Sequence, residues 1–287
     1  MDGIINIYKP VGMTSHDVVN KVRRIVGTKK VGHTGTLDPD AEGVLPICIN
    51  RGTKVADMLT VSDKRYTATF MLGVTTDTLD ISGNVLEERA VDVTREQIRN
   101  AIMSFVGKIQ QIPPMYSAIK IGGRKLCDLA RKGIEVERKA RDVEIYEINI
   151  LNVKDKNFTI DVKCSKGTYI RTLGSDIGEK LGCGAVMTSL IRTQSSIFEI
   201  CNSVKLEDLT PENYGKYVIS PDELFDCEKI TVKGEILSKV LNGNAIPYNG
   251  VENNQYKLYD EEGRFLCLSR MEDGMLKVEK MFYVGEF

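Results

Sequence analysis

The 287-residue sequence predicts an α+β fold: a mixed, largely antiparallel sheet with flanking helices, then a small C-terminal β-barrel-like module. Three observations predict it. Alternating apolar segments are interrupted by helical ones without βαβ regularity, which argues against a doubly wound parallel sheet. Apolar residues make up 42% and charged residues 28%, enough for a packed core. From about residue 228 helical stretches thin out, and Asn-Gly, Glu-Gly and Asp-Gly turns punctuate short strands.

The elements follow in order. Residues 3–8 alternate as a strand that ends at Lys9-Pro10. Ser15 is a good N-cap for a helix over 16–26, with Val18, Val19, Val22, Ile25 and Val26 at helical spacing and Gly27 as its stop. Residues 28–43, rich in Gly, Thr, Asp and Pro, form a loop. A strand over 44–49, a short helix over 53–59 and a strand over 64–72 come next. Thr94-Arg95-Glu96-Gln97 is a capping box that opens a helix to about Phe105. Strands are expected near 115–121, 142–153 and 158–164, a helix over 170–181 ending at Gly182, and two short strands within 185–200. Pro221-Asp222-Glu223 marks a boundary dividing the chain into 1–225 and 228–287.

Composition excludes several classes. No apolar run approaches the ~20 residues of a membrane span. The N-terminus has no basic stretch followed by an apolar segment and cleavage site, so it is no secretory signal. Seven cysteines without a C-x-x-C pair argue against a disulfide framework or zinc ribbon, and for reduced thiols in a cytoplasm. With only His16 and His33, a His-rich metal site is impossible, and no metal or cofactor is expected.

The net charge of −1 hides an asymmetry. Residues 206–287 hold 16 acidic and 9 basic side chains, a balance of −7, which leaves +6 on the rest. Segment 120–141 alone has 8 basic and 3 acidic residues, and Lys21, Arg23, Arg24, Lys29 and Lys30 form a second knot. One such run is ordinarily a solvated surface. Two bracketing other signals point to a polyanion partner, since Lys and Arg that neutralise phosphates supply sequence-independent affinity.

The most unusual stretch is Val31 to Val44, where three glycines, His33, Asp38, Asp40 and Glu42 crowd one loop. Asp38-x-Asp40-x-Glu42-Gly43 imitates the start of a calcium loop, but its twelfth position is Ile49 where a bidentate Glu is required. No Gly-Lys-Ser/Thr follows, so it is no phosphate loop. From the residues alone, Asp38 is equally a turn-forming Asp-Pro or a catalytic carboxylate.

Lys30–Pro39 (KVGHTGTLDP) followed by Gly43-Val-Leu-Pro46 is similar to the signature of the tRNA pseudouridine synthase B (TruB) family. The likeness continues in order. Lys9-Pro10-Val11-Gly12-Met13-Thr14-Ser15 resembles the family's opening motif. Lys64-Arg65-Tyr66, with Leu72-Gly73 and Thr76-Asp77-Thr78, resembles its second, and Pro113-Pro114-x-Tyr116-Ser117-Ala118 its central one. Gly167-Thr-Tyr169-Ile-Arg171-Thr-Leu173 and Leu190-Ile-Arg192-Thr193 match the last two. Six ordered motifs over roughly 4–195 are far more specific than any one. Asp40 and Glu42 depart from the pattern, in places where an apolar residue and a threonine-like residue are expected.

The resemblance implies a pseudouridine synthase fold and the isomerisation of the T-loop uridine at position 55 of tRNA, after flipping of the base and without cofactor. Asp38 would be the catalytic nucleophile, at the sugar's anomeric carbon or at C6 of the ring, or would instead deprotonate the sugar to a glycal, and Arg171 would be its ion-pair partner, keeping it ionised. Tyr66 would stack on the extruded uracil and take the C5 proton. Tyr169 and Leu190 would line the pocket, His33 would fill the place the base vacates, and Lys9 and Pro10 would shape the pocket floor. Segment 120–141, with Arg124, Lys125, Arg131 and Lys132, would be a mobile RNA-gripping insertion, and residues 228–287 a PUA module. The short chain without basic tails points to the stand-alone bacterial type, a monomer with no obligate protein partner. A tRNA-folding factor and a guide-RNA-dependent synthase subunit share these motifs and are the alternatives.

Overall fold

The computed structural model describes residues 1–283. The chain opens with β1 (Gly3–Lys9), α1 (Ser15–Val26), β2 (Val31–His33) and β3 (Glu42–Ile49). A 3₁₀ turn runs into α2 (Ala56–Thr60), then β4 (Lys64–Leu72) and the hairpin of β5 (Val74–Thr76) and β6 (Val85–Glu88). α3 (Arg95–Met103) precedes β7 (Gly107–Gln111), the two-residue strands β8 (Lys120–Ile121) and β9 (Arg124–Lys125), and α4 (Leu126–Ala130). The long hairpin of β10 (Arg141–Lys154) and β11 (Asn157–Cys164) leads to α5 (Ile170–Lys180) and β12 (Ala185–Ser195). Short strands β13 (Phe198–Glu199), β14 (Val204–Lys205) and β15 (Val218–Ile219) follow. The C-terminal region holds β16 (Glu228–Thr231), α6 (Gly234–Leu241), β17 (Ile246–Pro247), β18 (Gln255–Tyr259), β19 (Phe265–Glu272) and β20 (Met275–Met281).

Among the described residues, eleven strands form one sheet along the path β14-β1-β3-β12-β4-β11-β10-β7, with β13, β15 and β2 attached beside it. β1–β14 and β12–β3 pair in parallel, and the other pairs are antiparallel. The mixed, largely antiparallel sheet read from the sequence is therefore present. Val18, Val19 and Val22 of α1 pack with Ile5, Ile7 and Leu45, while Phe70, Phe158, Leu173 and Ile177 centre a second cluster beneath α5.

Three expectations change, and one strand is unannounced. Thr14, not Ser15, caps α1: its hydroxyl accepts from Asp17 N (3.1 Å) and Asp17 returns a bond to Thr14 N (2.9 Å). Residues 115–119 are not a strand, because their backbone turns back to bond the start of α4 (Leu126 N to Ile119 O, 2.8 Å; Cys127 N to Ser117 O, 3.1 Å). β7 is a strand that the sequence pattern does not announce, since Gly-Lys-Ile-Gln-Gln shows no apolar alternation. Within 185–200, β12 is one long strand, and Ser196 at φ 56° turns the chain into the short β13.

The C-terminal five-stranded sheet, in order β16-β18-β19-β20-β17, curls over Leu258, Leu266 and Met271, with Ile236 and Leu237 of α6 against them. Residues 284–287 of the expected module lie outside the described residues. Leu268 and Phe282 join Ile4, Val44, Cys48 and Val55 in one apolar cluster, so this sheet docks on the main one through buried surface. The boundary segment is tied down as well: Tyr259 donates to Asp222 (2.6 Å) and Lys257 to Phe225 O (2.8 Å). No helix among the described residues is long and apolar enough to cross a membrane.

Candidate active site

The loop between β2 and β3 is gripped from behind by the segment after β1. Lys9 is wholly buried, and its ammonium donates to the carbonyls of Pro10 (2.8 Å), Met13 (2.7 Å) and Pro39 (3.2 Å). Gly12 N adds a second bond to Pro39 O (2.9 Å). The Ser15 hydroxyl, released from capping, accepts from Leu37 N (2.8 Å) and donates to Leu37 O (3.1 Å). The residues on either side of Asp38 are thus fixed by three side-chain or backbone anchors. Burial pulls the Lys9 ammonium down to about 8, against the opposing charges of Asp38, Asp40 and Glu42.

The loop's far end is fixed by close approach. Gly43 has φ +105°, and a Cβ there would lie 2.3 Å from the carbonyl oxygen of Arg192, so only glycine lets β3 meet β12 at this point. The Glu42 carboxylate acts on the Tyr8 hydroxyl, which burial and that charge push up to about 12. The family departure at Glu42 thus has a partner within the loop's own support.

Arg171 reaches Asp38 from the first turn of α5. Gly174 and Gly178 allow that helix to lie directly on the sheet: a Cβ on Gly174 would sit 2.0 Å from Phe70, and one on Gly178 2.2 Å from Ala185 N. Gln111, buried at the end of β7, brackets the helix start by accepting from Tyr169 N (3.0 Å) and donating to Tyr169 O (3.3 Å). The Arg171 guanidinium pairs with Asp38 (3.1 Å) and with Asp80 (3.1 Å), and donates to Thr78 O (3.0 Å) and Tyr116 O (2.8 Å). Asp80 is itself held by the hydroxyls of Thr78 (2.7 Å) and Ser82 (2.6 Å). A cation at a helix start is disfavoured by the dipole, and two carboxylates here compensate it.

The Asp38 carboxyl lies above the ordinary carboxylate range. Burial raises it most; Arg171 pulls it down, and Asp80 and Asp40 push it up again. Burial thus outweighs the guanidinium in the balance, while Arg171 itself favours the ionised form, the direction expected of an ion-pair partner.

Above this pair opens a cavity of about 330 Å³ whose walls include Asp38, Lys64, Tyr66, Tyr169, Arg171, Leu190 and Arg192. Tyr66 on β4 and Leu190 on β12 stand on neighbouring strands, and Tyr169 comes from the turn before α5. Burial raises the hydroxyls of both tyrosines, Arg192 opposing it at Tyr66 and Ser117 at Tyr169. The walls combine a carboxylate, an ammonium, two guanidinium groups, two phenols and an apolar side chain. Among the described residues no three His, Cys, Asp or Glu side chains converge to hold a metal ion.

The family model for the TruB family pseudouridylate synthase N-terminal domain matches residues 23–170, and that for the tRNA pseudouridylate synthase B C-terminal domain matches 171–224. The chain belongs to the TruB family. A relative from Clostridium kluyveri, named tRNA pseudouridine synthase B, is 46% identical over 98% of this chain and 100% of its own length. One of the same name from Alkaliphilus oremlandii is 51% identical over 87% and 84%. Among solved structures, a Cbf5-Nop10-Gar1 complex superposes with TM-score 0.72 at 26% identity, over 98% of this chain and 85% of that one. An H/ACA RNP bound to a substrate RNA containing 2′-deoxyuridine gives 0.70 at 25%, with the same coverage.

Within this TruB-family chain the predicted residues fall into three places. Asp38, Tyr66, Tyr169, Arg171 and Leu190 share the cavity. Lys9 and Pro10 do not line it, so the pocket-floor expectation is corrected, and His33 also stands outside its wall. Lys9 braces the loop from behind, and His33 on β2 accepts from Gly35 N (3.3 Å), where burial and Arg192 lower its pKa. Arg124, Lys125, Arg131 and Lys132 are exposed on the small β8–β9–α4 unit, anchored by buried Leu126 and Leu129. Lys120 faces Lys125 across β8 and β9, a like-charge pair on an exposed surface.

Sequence reasoning passes over Asp80, Gln111 and Lys64. Asp80 stands two residues beyond the Thr76-Asp77-Thr78 motif, and only the tertiary fold brings it to Arg171. Lys64 opens the Lys64-Arg65-Tyr66 motif; its ammonium donates to Thr60 O (2.7 Å) at the end of α2, and burial lowers it to about 8.

Proposed function

We propose that this TruB-family isomerase converts uridine 55 in the T-loop of tRNA to pseudouridine, with Asp38 as nucleophile. The Asp38–Arg171 ion pair on the wall of a cavity shared with Tyr66, Tyr169 and Leu190 carries the reading. The reaction breaks the N1–C1′ bond, turns the uracil and joins C5 to C1′, while C5 loses a proton and N1 gains one. No redox partner or cofactor is required. A carboxylate suits this, since it can hold the sugar carbon covalently and then leave.

The T-loop uridine is stacked in folded tRNA, so it must be extruded first at a cost of a few kcal/mol. Stacking on Tyr66 offsets ~1–3 kcal/mol of that cost. Arg171, held by Asp80 and two carbonyls, is preorganised to favour the ionised Asp38 that attack needs. The exposed basic unit over 120–141 grips the RNA backbone, and the sheet of residues 228–283 acts as a PUA-like module beside the catalytic domain, residues 1–225. The relatives' shared name over nearly their full length favours free tRNA over a guide-RNA-dependent substrate. The alternatives are separated by incubating the protein alone with an unmodified tRNA transcript. The expected result is one pseudouridine per tRNA, at position 55. No conversion without added guide RNA or protein would overturn the proposal.

A further inference from the structure

Arg192 is the bulkiest fully buried side chain among the described residues, 1% exposed. It lies in β12, between β3 and β4, with Gly43 as its partner on one side and Tyr66 on the other. Its Nε donates to Val44 O (2.7 Å) and a terminal nitrogen to Gly35 O (3.1 Å). Arg192 and Tyr66 stand in register on neighbouring strands and line the same cavity, and the charge of the guanidinium acts on the Tyr66 hydroxyl. Among the described residues no carboxylate pairs with it, and a buried cation without a counter-charge is costly.

We propose that Arg192 is the positioning residue for Tyr66, holding the phenol oxygen in the cavity and stabilising negative charge on it. The inference rests on the proposed reading of Tyr66 as the group that takes the C5 proton. Once C5 is joined to C1′, the phenolate oxygen takes the proton from C5 and becomes a phenol. The C5–H electron pair forms the C5=C6 bond and displaces the N1=C6 pair onto N1, which takes a proton from water. Tyr66 then releases its proton to solvent, while Arg192 keeps its own throughout. Burial, Cys164 of β11 and Asp38 of the loop all disfavour the phenolate, whereas the charge of Arg192 favours it. Lys9, His33 and Lys64 feel the charge of the guanidinium and do not neutralise it. The same group holds Gly35, three residues before Asp38, so Tyr66 and the loop share one anchor.

A double-variant cycle tests this. Single-turnover rates on prefolded tRNA are measured from neutral to alkaline pH for Arg192→Gln, Tyr66→Phe and the pair, with tRNA affinity and thermal melting alongside. Arg192→Gln is expected to slow the reaction about 10²-fold, with affinity nearly unchanged and the pH at which the rate levels off moved upward. In the Tyr66→Phe background the same change is expected to cost less than about threefold, because no hydroxyl remains to serve. Equal losses in both backgrounds overturn the inference and leave Arg192 a structural residue. A wild-type rate for Tyr66→Phe overturns the reading of Tyr66 itself, and the role of Arg192 with it. If Arg192→Gln does not fold, the cycle is run with Arg192→Lys, which keeps the charge but lacks the fork; coupling supports the inference and additivity overturns it.

Discussion

Residues 31–43 and 120–140 are both glycine-bearing connections, yet one is held along its length and the other leaves most of its charged side chains in solvent. In the first, Lys9, Gly12 and Ser15 fix the flanks of Asp38, Arg192 holds Gly35, and Arg171 meets the carboxylate. In the second, Leu126 and Leu129 are buried, while Arg124, Lys125, Arg131 and Lys132 reach into solvent. The difference teaches that composition identifies a functional loop, whereas its bracing shows what it is for. A group that must meet a reacting atom to within a fraction of an ångström needs fixed neighbours. A cation that follows a phosphate backbone works without them.

The largest expected effect comes from the braced region. Asp38→Asn should remove turnover while leaving tRNA affinity intact, and more than a few per cent residual activity in a single-turnover assay would contradict the assignment. The fold should not suffer. The Asp38 carboxyl is raised by burial, so its ionised form costs stability above that raised pKa, and Asp80 still neutralises Arg171 in the variant. Thermal melting at neutral pH checks this, with an unchanged or higher midpoint expected.

Arg171→Lys comes next, with a loss in rate of about 10²-fold at near-native affinity, since a point charge cannot satisfy two carboxylates and two carbonyls at once. Asp80→Asn should be milder in rate, by about tenfold, but diagnostic in pH. The charge of Asp80 raises the Asp38 carboxyl, so its removal lowers that pKa. The acid limb of activity, where Asp38 becomes protonated, should therefore move to lower pH. A limb that stays in place or moves up would mean that Asp80 acts only on the fold.

The exposed region gives the smallest effect on chemistry and a clear one on binding. Neutralising Arg124, Lys125, Arg131 and Lys132 together should weaken every T-arm substrate alike. Binding measured at several salt concentrations should lose about one unit of log–log slope for each phosphate contact removed. An unaltered slope would make the segment an ordinary solvated surface.

Much of this is legible in the sequence because it rests on local rules. The capping box at Thr94, the αL stop at Gly27 and the alternation over 64–72 all operate within a few residues, and each matches the structure. Asp38 and Arg171 are legible through motif resemblance, although their meeting depends on glycines in α5 that let helix and sheet touch. What stays hidden depends on distant partners. Ser15 carries every local sign of a cap, yet its hydroxyl serves Leu37, 22 positions away. Asp80 meets Arg171 across 91 positions, and Gln111 meets Tyr169 across 58. No periodicity within a window records such pairings. The family resemblance implies a pocket-floor role for Lys9, whereas its ammonium is spent on backbone carbonyls.

The division of labour between the two regions is tested most directly by the single-turnover rate of the fourfold basic-segment variant, measured against tRNA concentration. The account predicts a curve shifted to higher concentration that climbs to the wild-type plateau. A lowered plateau at unchanged half-saturation would place the exposed segment in the chemistry and contradict it.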